Sequence, residues 1–260
     1  GAISISFWRM IIASIVLWFF CIIKPQGKMK VKSNLNKTIC AGILLGIHFV
    51  LFFEAVKITK IANATFLGTL APFFTLLIEL FLFKRSYKKV VYAGLLIALT
   101  GTVLVLINDF DLSSRFTLGN IYAILCSLSI SIAFIIAEKV RHTEGTIEYT
   151  RMLYGVAALT IFIIGSFYTE TFIVSEKTEI FGFIFLALIP TILGHNIFYY
   201  CVKFTTPTIV GTVPLGEPII ASIIAFFLFN ELISLNTAIG GALCIFGIFI
   251  ILRNRSVRDN

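Results

Sequence analysis

The chain has 260 residues, of which 58% are apolar and only 13% charged, and its mean hydropathy is +1.01. A soluble domain carries roughly a quarter charged residues. Here the apolar residues fall in runs of about 17 to 25, the length that crosses a ~30 Å hydrocarbon core, so a soluble enzyme or binding module is excluded and a lipid bilayer is the expected surrounding. The net charge of +8 would suit nucleic acid, but the basic residues sit at junctions between apolar runs, where they orient a membrane protein, and no nucleic-acid partner is expected.

Nine spans are predicted, over residues 7–23, 38–57, 61–83, 90–107, 118–138, 150–168, 180–202, 207–230 and 237–252. The first opens on Phe7-Trp8-Arg9-Met10. Snorkelling to the headgroups is the default for Arg9 at a helix end, and beside Trp8 it is also placed to guide an anionic group. The second carries His48 at mid-span, either hydrogen-bonded across helices or facing a cavity. In the third, Thr65 and Thr69 share a face with Pro72, which should kink the helix. These threonines would meet a substrate or satisfy their own helix carbonyls. Glu79 reads as an edge partner of Lys84 and Arg85, and Glu138 beside Lys139 reads the same way. Arg151 marks the start of the sixth span, again as a snorkelling residue.

In the seventh span His195 and Tyr199 share a face at i, i+4 and, with Asn196, form a polar stripe. The eighth holds the sharpest candidate. Glu217 lies about ten residues from either end of its span, among Pro214, Gly216 and Pro218. A carboxylate there is expensive, roughly 2.5–3.5 kcal/mol at a helix centre on insertion scales. Proline removes a backbone donor and obstructs the carbonyl four residues back, so a kink with freed polar backbone is expected beside it. Glu217 would bind a cationic or amino-group substrate, titrate a coupling proton, or hold the kink as a structural residue. The five cysteines are scattered singly and show no CxxC or Cys/His spacing, so neither a metal site, a disulfide framework nor a cofactor is expected.

If the first connector is cytoplasmic, that side holds 16 basic residues against 5 on the other, a positive-inside bias. The connectors with Asp109 and Asp111 and with Glu170, Glu176 and Glu179 then lie outside, and the C-terminus lies inside. Gly1 is not a translation start, and neither a basic lead nor a cleavage site precedes the first span. Truncation of a longer protein is therefore expected.

Residues 56–106 align over 202–252 at a constant offset of 146. Val56-Lys57 meets Val202-Lys203, Thr59 meets Thr205, Pro72 meets Pro218, Gly94 meets Gly240 and Gly101 meets Gly247. Phe7-Trp8-Arg9-Met10 resembles Tyr149-Thr150-Arg151-Met152 at an offset of 142. The span at 118–138 lacks a partner, and a helix before Gly1 would supply one. The expected fold is thus an all-α, polytopic transmembrane bundle, nine visible spans of a ten-span fold made of two inverted five-helix repeats. The expected division is 1–107 for the first repeat, 118–252 for the second and 253–260 for a cytoplasmic basic tail. Inverted repeats place a substrate site near the midplane and permit alternating access.

The stretch Ala55-Val56-Lys57-Ile58-Thr59 through Asn63-Ala64 to Leu70-Ala71-Pro72 resembles the third-to-fourth helix signature of the EamA-type drug/metabolite transporters. Glu217-Pro218-Ile219-Ile220-Ala221, Asn230-Glu231-Leu232, Gly240 and Gly247 resemble their ninth and tenth helices. The resemblance implies a secondary transporter of small metabolites, often an exporter, in which the visible spans are helices two to ten. One departure is Arg85, where many relatives carry a Glu.

The expected function is a secondary carrier, in the export direction, of small polar metabolites such as amino acids. Its expected location is a prokaryotic inner (plasma) membrane, and no Walker loop is present, so gradients would supply the energy. Protons as the coupling ion and a homodimer stay open. A passive channel or lipid scramblase is the alternative, ahead of an intramembrane enzyme, for which no Ser/His or HExxH pattern accompanies Glu217.

Overall fold

The computed structural model describes residues 1–23, 29, 31–107, 111, 113–167, 171–174, 177–229, 232–254 and 257–259. Asp109, Glu170, Glu176, Asn230 and Glu231, invoked above, lie outside that set. The helices are α1 (Ala2–Ile23), α2 (Lys32–Ile58), α3 (Ile61–Gly68), α4 (Ala71–Phe81), α5 (Lys89–Leu106), α6 (Thr117–Arg141), α7 (Thr146–Phe167), α8 (Lys177–Leu186), α9 (Asn196–Cys201), α10 (Pro207–Gly211), α11 (Glu217–Phe229) and α12 (Leu235–Arg253). Among the described residues they make nine stretches long and apolar enough to cross a membrane, since α3–α4, α8–α9 and α10–α11 each serve as one.

Those three interruptions have local causes. Between α3 and α4 the expected kink is a full break, and it falls before Pro72. The Thr69 N–H turns back to Thr65 O and Phe66 O at 3.0 and 3.2 Å, and the Phe73 N–H begins the next helix on Leu70 O. Pro72 is then the second residue of α4, in the first turn, where its missing N–H costs no helical bond. In α10–α11 the chain passes through a 3₁₀ turn, Val213–Gly216, with Pro214 at its start and Pro218 in the first turn of α11.

The third interruption was not anticipated. Pro190 cannot donate to Leu186 O, and the Thr191 hydroxyl takes that carbonyl instead at 2.8 Å. The chain winds as a π-helix over Ala187–His195, a form enriched at functional sites.

Where a helix breaks inside an apolar bundle, the freed carbonyls need donors. Ser127 Oγ donates to Leu67 O at 2.7 Å and Ser131 Oγ to Ala71 O at 3.1 Å. Thr102 Oγ1 and Cys244 Sγ both reach Leu215 O, each at 3.3 Å.

The helices group into two compact units, one of residues 1–53 and 132–206, the other of 54–131 and 207–260. In the first unit α1 and α7 run antiparallel: Ile3 lies against Gly165, and Ser14 Oγ donates to Arg151 O at 2.8 Å. Arg151 is buried with its guanidinium 4.3 Å from the Trp18 ring, not extended as a snorkelling residue would be.

In the second unit α5 and α12 cross through paired glycines. A Cβ on Gly101 would stand 2.5 Å from Gly240 O, and one on Gly247 would stand 2.6 Å from Gly94 O. The low-numbered glycine of one helix meets the high-numbered one of the other, so these two helices are antiparallel. Small residues permit such close backbone approach in membranes. A short ribbon pairs Arg85–Tyr87 (β1) antiparallel with Val257–Asp259 (β2), so part of the expected tail is strand.

Gly101→Ala should cost about 1–3 kcal/mol by forcing α5 from α12. Gly182→Ala, where an added Cβ meets nothing within 4 Å, should be close to neutral. Thermal melting of the purified protein in detergent distinguishes the two, and equal melting temperatures would count against the glycine crossing.

Candidate functional site

Polar side chains gather at different places in the two units. In the first, the π-helical turn organises the group. Arg9, two residues into the predicted span but about two turns into α1, which begins at Ala2, does not extend past the helix end. Its Nε donates to Thr191 Oγ1 at 2.7 Å, and its guanidinium lies 4.8 Å from the Phe49 ring centroid. His48 and His195 flank the same phenylalanine, at ring distances of 5.1 and 6.0 Å.

Tyr154 Oη donates to Asn196 Oδ1 at 2.8 Å. Tyr199 is fully buried among the rings of Phe134, Tyr149 and Tyr154. The structure thus brings Arg9, His48, His195 and Asn196 around Phe49 and Thr191, and gives His195 and Tyr199 different neighbours although they are four residues apart. Thr191 and Tyr154 were missed in the sequence. Pro190 followed by a hydroxyl residue was the available signal.

In the second unit, Glu79 is wholly buried. Arg85 Nη1 donates to its Oε1 at 3.0 Å and Tyr87 Oη to its Oε2 at 2.6 Å. Thr208 Oγ1 also reaches Oε2 and contacts Thr75 Oγ1 at 3.1 Å. Local geometry explains the convergence. Lys84, at φ 53°, is the one non-glycine residue with a positive φ among those described, and it turns the chain back after α4. Arg85 and Tyr87 then share one face of a strand by its period of two, while Thr75 and Glu79 share one face of α4 at i, i+4. The expected Glu79–Arg85 pair is present, but as the centre of a buried network. At the 146-residue offset Thr75, Glu79 and Thr208 correspond to Ala221, Ala225 and Ala62, so the other half of the sequence has no equivalent cluster.

A neutral network joins the end of α2 with α3 and α6. Asn63 is fully buried and donates to Asn120 Oδ1 at 3.0 Å, Thr59 Oγ1 donates to the same oxygen at 2.8 Å, and the Asp111 N–H donates to Asn63 Oδ1 at 2.9 Å. The Asp111 carboxyl accepts from the Ser113 N–H at 2.8 Å, which, with Arg115, holds it below the usual carboxylate range.

Glu217 is the first residue of α11, at the junction with the 3₁₀ turn, and is exposed. Thr69 bonds its own helix at Phe66 O, and Thr65 is half-buried on α3. No cluster of three or more potential metal ligands occurs among the described residues.

Residues 1–107 and 117–253 match the EamA-like transporter family. The chain is 26% identical over 204 residues to an uncharacterized transporter of Archaeoglobus fulgidus, covering 78% of this chain and 71% of that one. It is 21% identical over 211 residues to the pseudopaline exporter CntI of Pseudomonas aeruginosa, covering 81% and 72%. One solved crystal structure shares the fold at a TM-score of 0.81 and 18% identity, over 98% of this chain and 88% of that one.

Removing one partner of a buried ion pair costs about 3–5 kcal/mol. Because Arg85 keeps 22% of its side chain exposed, Glu79→Leu should fall at the low end of that range. Glu79→Gln, which retains an acceptor, should lose roughly 1–2 kcal/mol. A double-mutant cycle with Thr208→Val, read by melting, should show coupling, and strict additivity would separate Thr208 from the cluster.

Proposed function

The chain belongs to the EamA-like transporter family, and from that membership we propose that it is a secondary carrier of small polar metabolites such as amino acids, working in the export direction. It is a multi-pass integral membrane protein and a transporter, not an enzyme. The observation that carries the finer reading is the broken span at Glu217: a carboxylate at a helix interruption, next to backbone released by Pro214 and Pro218. Discontinuous spans of this kind commonly form substrate and ion sites in secondary transporters. Glu217 binds an amino group of the substrate or takes up the coupling proton.

Alternating access proceeds by rocking of two inverted repeats, residues 1–107 and 118–252. The antiparallel crossing of α5 and α12 through equivalent glycines supports that relation, as does interruption at both Pro72 and Pro218. The charge bias of the connectors supports a cytoplasmic C-terminus, and the archaeal and bacterial relatives favour a prokaryotic inner membrane. The name of the Pseudomonas relative favours export, and the lack of a nucleotide-binding loop in the sequence favours a gradient, with the proton as coupling ion.

In proteoliposomes a carrier shows saturable flux and acceleration by substrate on the far side. Counterflow of radiolabelled amino acids is the expected result. Linear flux without exchange acceleration would point to a channel or scramblase. Glu217→Gln should abolish pH-dependent flux or amine recognition while melting like the parent, and unchanged flux and pH profile would remove Glu217 from the mechanism.

A further inference from the structure

The polar group of the first unit is made largely of hydrogen-bond donors. Thr191 Oγ1 accepts from Arg9 Nε while donating to Leu186 O. With the Phe49 ring against its face, the guanidinium plane is fixed. Tyr154 Oη occupies Asn196 Oδ1, so the amide is oriented with its NH₂ as the remaining end. His195 Nδ1 is buried without a hydrogen-bond partner, and so is the hydroxyl of fully buried Tyr199. An orphaned buried atom is costly, about 1–3 kcal/mol; Tyr199 Oη sits among other rings, and it is His195 Nδ1, beside the same Phe49 ring as Arg9, that points to a ligand here. Arg9, His195 and Asn196 are each only partly buried, which leaves the group approachable.

We propose that Arg9, Asn196 and His195 form a subsite for an anionic oxygen group, the carboxylate of the transported metabolite. The inference rests on the carrier reading and gives its substrate class. A planar guanidinium held at its Nε edge and face suits the planar fork of a carboxylate. The amide NH₂ adds a neutral donor. His195 Nδ1 gains a partner in the tautomer that carries hydrogen on that nitrogen. The π-helix is the device that assembles the subsite, because Pro190 releases Leu186 O, Thr191 answers it, and the same hydroxyl then receives Arg9.

The test is thermal melting of the purified chain with a panel of L-amino acids, each paired with its carboxamide. The acids should stabilise and the carboxamides should not, and Arg9→Gln should weaken the response to acids roughly tenfold or more. Should that variant fail to fold, Asn196→Asp places a carboxylate at the subsite and should erase the preference for acids on its own. Equal stabilisation by acid and carboxamide, or stabilisation by neither while counterflow persists, overturns the anionic subsite and leaves the carrier. Absence of both stabilisation and counterflow overturns the carrier reading as well. Stabilisation by short-chain phosphatidylglycerol with no acid preference would assign the donors to a lipid headgroup and overturn the substrate subsite.

Discussion

Every other feature of this protein depends on one demand of the bilayer: a backbone N–H or C=O within the apolar bundle must find its partner inside the protein. Helices meet the demand without help, and the unbroken α1, α2, α5, α6, α7 and α12 need nothing further. The broken spans do need help. Leu67 O, Leu186 O and Leu215 O are carbonyls at or beside interruptions, and each receives a hydroxyl or thiol, from Ser127, Thr191, or Thr102 and Cys244 respectively. Short polar side chains scattered through apolar runs thus have an assignable task. They allow the chain to leave the α-helix at chosen depths.

The same economy governs charge. Glu79 is held by a guanidinium and a phenol from β1 and a threonine hydroxyl from α10, so its burial is compensated by three donors from two elements. Arg9 and Arg151 lie against aromatic rings, where the ring quadrupole supplies part of what water would. The unpartnered His195 Nδ1 and Tyr199 Oη are exceptions to this economy, and the carboxylate subsite is placed at the first of them. The two units use different polar chemistry: donors around Thr191 in one, a carboxylate-centred network at Glu79 in the other.

Much of the architecture was legible because it is written in length and period. Apolar runs set the spans to within six residues, the largest miss being the start of α2 at Lys32, and Pro72, Pro214 and Pro218 announced two of the three interruptions through their missing donors. The repeat alignment matched Gly94 with Gly240 and Gly101 with Gly247, but it did not say that α5 and α12 would meet through them. Pro190 was passed over, and with it the π-helix, because a π-turn depends on whether the next residue can answer the freed carbonyl. Arg9 and Arg151 were read as snorkelling residues from their position near span ends. Their rings, Phe49 and Trp18, stand far from them in sequence or on another helix.

The sequence by itself determined that the chain crosses a bilayer, how many times its described residues can do so, and where helices must fail. These follow from hydrophobicity, chain rise and proline stereochemistry, which are local properties. Only the tertiary structure decided that Glu79 is enclosed by Arg85, Tyr87 and Thr208, that Arg9 meets Thr191 across 182 residues, and that His195 and Tyr199 part company. Those outcomes depend on which helix faces deliver a hydroxyl or a ring to within hydrogen-bond distance, and that is fixed by packing, to which hydropathy and periodicity are blind.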